Sequence, residues 1–284
     1  MAAYDVDDFS IVYRLCSSVK TEEDWDDIRV FLRSNPTEVT KACAEYQGEL
    51  ETSSLHVACK HNPPLDVIQA LYEASPETVE WIDAFVWLPL HYAAANGASA
   101  EVLSFLTNAD PTSKVAVDKR GRTPLHFAVG TLDRQASKEV VEILSDSGAA
   151  RCADENGSLP IHYACAYSSS VEVLKVLVEA VPQSSSSIDF NGCTPLHFAV
   201  SASYFGSNSI SFCSFLFNWV YRRWEIVPRN HPPTLLSFCW NRTQGFLLKQ
   251  TILASYLLTY WPKGLVRLKV ITGSLLSERI PWLA

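Results

Sequence analysis

The sequence is short of the signatures that usually announce bond-making chemistry. It has no G-x-S-x-G, no Walker loop, no G-x-G-x-x-G and no H-E-x-x-H, which removes the common hydrolase, nucleotide, dinucleotide and zinc-protease readings. Its eight cysteines include no C-x-x-C pair and form no dense framework. They read as reduced thiols of an intracellular chain. The first residues, Met1 to Asp8, are acidic and lack the basic and apolar regions of a secretory signal. No apolar stretch reaches the roughly 20 residues that span a bilayer. Acidic side chains almost vanish late in the chain: residues 201–284 hold only Glu225 and Glu278 against nine basic residues.

What precedes that stretch is the opposite. Residues 1–200 carry 29 acidic and 14 basic side chains, a net of −15. Such a field disfavours nucleic acid as a partner. With 48% hydrophobic residues in 284, the chain affords a substantial core and is not disordered by composition. Two segments of unlike role join near residue 205.

One heptapeptide theme recurs five times: SSLHVAC (53–59), LPLHYAA (88–94), TPLHFAV (123–129), LPIHYAC (159–165) and TPLHFAV (194–200). Its histidines, His56, His91, His126, His162 and His197, are 35, 35, 36 and 35 residues apart. Eight residues before four of them stands an aspartate (Asp83, Asp118, Asp154, Asp189). Five before three of them stands a glycine (Gly121, Gly157, Gly192). Asp-x-x-Gly is turn chemistry, because aspartate bonds local backbone and glycine accepts φ > 0. Thr-Pro then starts a helix, with threonine as the cap and proline at the first helical position. A polar break leads to a second apolar helix, expected at 65–71, 100–106, 138–144 and 171–177. Its buried stripe is typified by Val102, Leu103 and Leu106. Pro36, Pro76, Pro111 and Pro182 punctuate the loops between units.

The phased Thr-Pro-Leu-His units resemble the ankyrin repeat, in the divergent form that reads Leu-Pro-Leu-His-Tyr-Ala, over about residues 20–200. The resemblance implies an all-α solenoid of paired antiparallel helices with β-turn tips, followed here by an irregular C-terminal segment. We divide the chain into an N-terminal helical capping repeat (1–40), an array of five units (41–205) and a basic, aromatic-rich segment (206–284). In the cap, Trp25, Ile28, Phe31 and Leu32 form the inward face of a helix beginning near Asp24. Thr21 and Asp24 make a partial capping box.

Four departures from the pattern carry expectations. Leu88 and Leu159 replace the capping threonine, at about 1 kcal/mol per site unless packing offsets it. Ser53-Ser54 keeps the cap and drops the proline. Val86 stands where glycine belongs, so that turn is expected to be altered. Extra residues around 130–135 in the third unit place a protruding loop on the edge of the solenoid. After His197 the pattern calls for a second helix by about residue 207; the chain departs from it and offers a helix on Ile210, Phe212, Phe215, Leu216 and Trp219 after a lengthened loop.

The histidines at one phase invite a metal reading. Ligands must converge on one ion at about 2 Å, whereas stacked units lie about 10 Å apart. The resemblance implies instead a structural histidine that bonds near the turn and ties neighbouring units. No metal, no cofactor and no catalytic residue is expected. His61 and His231 are isolated and read as solvent-facing.

By the same resemblance, partners meet the turn tips, the polar end of the first helix and the concave face. Carried over by phase, the partner-binding candidates are Phe85, Trp87 and Asn96 in the second unit and Lys119, Arg120 and Arg122 in the third. The fourth unit gives Glu155, Asn156 and Tyr167, and the fifth gives Phe190 and Asn191. Exposed aromatics at tips are typical anchors. The basic trio in an acidic domain suits an acidic stretch of a partner. For Phe85 and Trp87 a second reading stands beside this one, in which both fold onto the neighbouring unit.

The expected function is a non-catalytic, cytoplasmic ankyrin-repeat scaffold for protein partners that the sequence does not identify. The alternative is a membrane-tethered protein whose 206–284 segment meets the bilayer through Phe246–Trp261. That segment also reads as a small folded piece, or as sequence foreign to the domain, such as a frame-shifted continuation.

Overall fold

The structure is a computed structural model that describes residues 10–43, 50–131, 134–146 and 148–203. The chain divides into two units, residues 1–231 and 232–284, and every described residue belongs to the first. The segment 206–284, with the helix expected on Ile210 to Trp219 and the membrane-tail reading, lies outside the described residues.

The described residues form an all-α repeat. The cap contributes α1 (Ile11–Ser18), α2 (Asp24–Ser34) and α3 (Pro36–Cys43). Unit 1 follows as α4 (Ser54–Lys60) and α5 (Leu65–Ala74), unit 2 as α6 (Pro89–Asn96) and α7 (Ala100–Ala109), and unit 3 as α8 (Pro124–Val129) and α9 (Lys138–Leu144). Unit 4 is α10 (Pro160–Ala166) with α11 (Val171–Ala180), and unit 5 opens with α12 (Pro195–Ser203). Each TPLH-type heptapeptide is therefore the first helix of its unit. Pro76, Pro111 and Pro182 open short 3-10 turns that lead to the next tip.

The first helices are six to nine residues long. Isolated helices under about 12 residues are marginal in water, so packing holds them. They pack side by side in the order α1, α4, α6, α8, α10, α12, and the second helices form a parallel row, α5, α7, α9, α11, against which α2 and α3 close the end at α5. The two rows share one core. Leu71, Leu103, Leu106, Leu125, Leu144 and Leu174 have no exposed surface, and the small Ala58, Ala93 and Ala164 let the first helices approach closely. Cys59 and Cys165 are wholly buried among them and act as small apolar groups. Burial pushes the Cys16 and Cys43 thiols up to about 12, which keeps them protonated and unreactive.

The cap matches its expected face: Trp25, Ile28 and Leu32 are buried and Phe31 packs at the edge of the core. The expected capping box is half present, since the Asp24 carboxylate accepts the backbone N–H groups of Lys20 and Thr21, both at 2.8 Å.

Candidate functional site

Units 2 to 5 each present a tip tied by one buried aspartate. Asp83 accepts the backbone N–H groups of Phe85 and Trp87 at 2.8 Å, while its own N–H donates to the Trp87 carbonyl. Asp118 does the same with Arg120 and Arg122, Asp154 with Asn156 and Ser158, and Asp189 with Asn191 and Cys193. The second carboxylate oxygen takes a side chain: Tyr92 on Asp83, the Arg122 guanidinium on Asp118, and Tyr163 on Asp154. Burial alone would raise the Asp118 and Asp154 carboxyls. Their donors outweigh it and hold both below the ordinary carboxylate value.

The fourth turn position needs a left-handed backbone. Gly121, Gly157 and Gly192 supply it at φ 74 to 76°. Val86 adopts φ 65° and keeps every aspartate bond of the turn. The expectation of an altered turn is thus corrected: the aspartate knot holds the shape, and the valine backbone carries the strain.

Adjacent tips are linked. Ala84 N–H donates to the Leu50 carbonyl, Glu155 N–H to Arg120 and Phe190 N–H to Asn156. Between units 2 and 3 this link is replaced by the Lys119 ammonium on the Ala84 carbonyl.

Behind the tips, the histidines join the units. The Nδ1 atom of each accepts the backbone N–H three residues earlier, at 3.0 to 3.1 Å. That fixes the proton on Nε2. The Nε2 atoms of His56 and His126 lie 3.1 and 3.2 Å from the carbonyls of Trp87 and Ser158 in the next unit. The Nε2 atoms of His91 and His162 make no such hydrogen bond to the next unit. Burial pushes His56, His91 and His126 down to about 4, so they are neutral. At Leu88 and Leu159 the imidazole still accepts the cap's backbone N–H, so only the hydroxyl half of the cap is missing. Among the described residues, no three His, Cys, Asp or Glu side chains gather where an ion could sit.

The predicted contact residues separate into two groups. Phe85, Lys119, Arg120, Glu155, Asn156, Phe190 and Asn191 are exposed on the tips. Phe190 is 81% exposed, and its ring lies over Gly157, where a Cβ would stand 2.8 Å from Cδ1. Phe85 is 50% exposed.

The others are engaged in the fold. Trp87 is half-buried, with its ring 4.4 Å from Phe127 and 5.0 Å from Tyr92. Arg122 is clamped on Asp118 and stacks over Phe127 at 4.4 Å. Tyr167 stacks on Tyr163, and Asn96 bonds the Tyr92 carbonyl. Of the two readings for Phe85 and Trp87, packing onto the neighbour describes Trp87 and display describes Phe85.

The sequence reading passed over one feature of this surface. Ile82, Val117 and Ile188 are 46, 43 and 64% exposed, and Ala153 is exposed between them. All four immediately precede a knot aspartate. An apolar residue at that phase in each of four units is the signal that would have found them.

In the third unit's lengthened loop residues 132–133 lie outside the described residues, and the two residues that follow reach the neighbouring units. Arg134 runs back across Gly97 to the Asn96 carbonyl in unit 2, and Gln135 donates to the Ser168 carbonyl in unit 4.

Among the described residues no helix is long and apolar enough to cross a membrane. Compared with known protein families, the chain matches the model described as ankyrin repeats (3 copies) over residues 55–150 and 132–219. No curated protein compared with it matches.

Proposed function

The chain belongs to the ankyrin-repeat family, whose members are generally protein-interaction modules without catalysis, and from that premise we propose that it recognises a protein partner through its turn tips. The observation that carries this reading is the exposure of Phe190 and Phe85 on tips whose backbones are fixed by buried aspartates. Large aromatics held in water by a rigid backbone cost solubility, and they bind with little further loss of freedom. The aliphatic row Ile82, Val117, Ala153, Ile188 extends the apolar surface along the array, one side chain per unit. Lys119 and Arg120 add positive charge beside Glu155, Asn156 and Asn191. A partner strand with spaced apolar residues and an acidic stretch suits this surface. Trp87, Asn96, Arg122 and Tyr167 then support the tips from below.

The test is affinity capture by the full chain, repeated with Phe85→Ser and Phe190→Ser together. Proteins retained by the wild type are expected to be lost with the thermal midpoint unchanged. Trp87→Ala is the contrasting variant, expected to lower the midpoint by several degrees. Retention of the same proteins by the double variant would overturn the reading.

A further inference from the structure

A cavity of about 460 Å³ lies away from the tips, between the α1–α2 loop of the cap, the loop after α4 in unit 1, and Arg134 of unit 3. This volume is in the range of small-ligand sites. Lys20, Lys60 and Arg134 line it, together with His61, Glu22 and the edge of Trp25. These three cations come from segments far apart in sequence, within a region of net charge −15. Among the described residues the side-chain nitrogens of these three make no ion pair within 4 Å, whereas those of Arg29, Arg120, Arg122 and Lys138 each do; the Asp24 carboxylate lies nearby, on the backbone N–H groups of Lys20 and Thr21. Bringing like charges together costs free energy.

Arg134 is there because it is held. Its guanidinium bonds the Asn96 carbonyl and its stem crosses Gly97, where a Cβ would stand 3.0 Å from Cδ. Trp25, 2% exposed, lies behind the cavity and anchors the α1–α2 loop that carries Lys20. Three cations against Glu22 and the nearby Asp24 carboxylate leave a positive excess, which suits an anion that several donors can grip at once, such as a phosphate monoester.

We propose that this cavity binds a phosphate monoester, gripped by Lys20, Lys60 and Arg134. The site is independent of the tip surface, and either can fail alone. It is tested on the full chain by calorimetry and thermal shift with three probes: O-phosphoserine, glucose 6-phosphate and a phosphoserine peptide. Sulfate and glutarate serve as controls.

Saturable binding is expected for phosphomonoesters, with a shift of the His61 ring resonances. Each of Lys60→Gln and Arg134→Gln should weaken it by about tenfold. Glu22→Gln should tighten it by about threefold, an effect in the opposite sense that no general loss of fold produces. Stronger binding of the peptide identifies a phosphorylated protein as the source, and equal or stronger binding of the small compounds identifies a free metabolite. No saturation below roughly 10 mM, or an unchanged affinity in the glutamine variants, would overturn the proposal.

Discussion

Val86 shows how one residue can be overruled by its neighbours. A β-branched side chain disfavours φ 65°, yet the turn forms because Asp83 accepts two backbone N–H groups and returns a third. Strain of this kind costs on the order of 1–3 kcal/mol. Val86→Gly relieves it and adds chain entropy to the unfolded state, which takes some of the gain back. A net stabilisation of about 1 kcal/mol is expected, read as a higher urea midpoint. Gly121→Val should move the midpoint the other way. It imposes the same backbone strain and brings a Cβ within 3.2 Å of the Ala153 carbonyl.

At the scale of the element, the tips form a row of linked turns with one link replaced. The amides of Ala84, Glu155 and Phe190 are each bonded to the previous tip, and that of Lys119 is not. Hydrogen exchange should therefore be slow at the first three and fast at Lys119. Equal protection at all four would contradict the geometry. The sequence foretold the units themselves because their signals are local: an aspartate and glycine for the turn, Thr-Pro for the helix start, a 35-residue phase for the stack. The Trp87 ring on Phe127 and the path of Arg134 were not legible in that way. Both are contacts between units, and the phase of a residue says which way it starts without saying what it reaches. At Leu88 and Leu159 the hydroxyl bond of the cap is absent, as the residue type dictates, while the imidazole three residues on keeps the backbone bond that every unit shares.

Taken together, the stack has an acid sensitivity that no single unit reveals. His56, His91 and His126 are held neutral with folded values near 4, below the ordinary 6.5. The unfolded chain therefore takes up protons first as the pH falls. Their contribution is complete above about pH 6.5 and is lost progressively down to about pH 4. Each of the three removes about 1.4 kcal/mol per pH unit across that window. His162 and His197 shift in the same sense. Urea melts at pH 7, 6 and 5 should show stability falling well before carboxylates titrate, and a flat profile would contradict this account.

The loop that carries Arg134 and Gln135 has a bearing on how the array can be edited. Solenoids of this kind tolerate duplication or excision of modules because each ordinarily touches only its immediate neighbours. Unit 3 is bonded to units 2 and 4 through one excursion, and Arg134 extends past unit 2 to the cavity beside unit 1 and the cap. It behaves as a keystone. Cutting it out severs ties on both sides at once, whereas copying it gives a second arginine a different landing place.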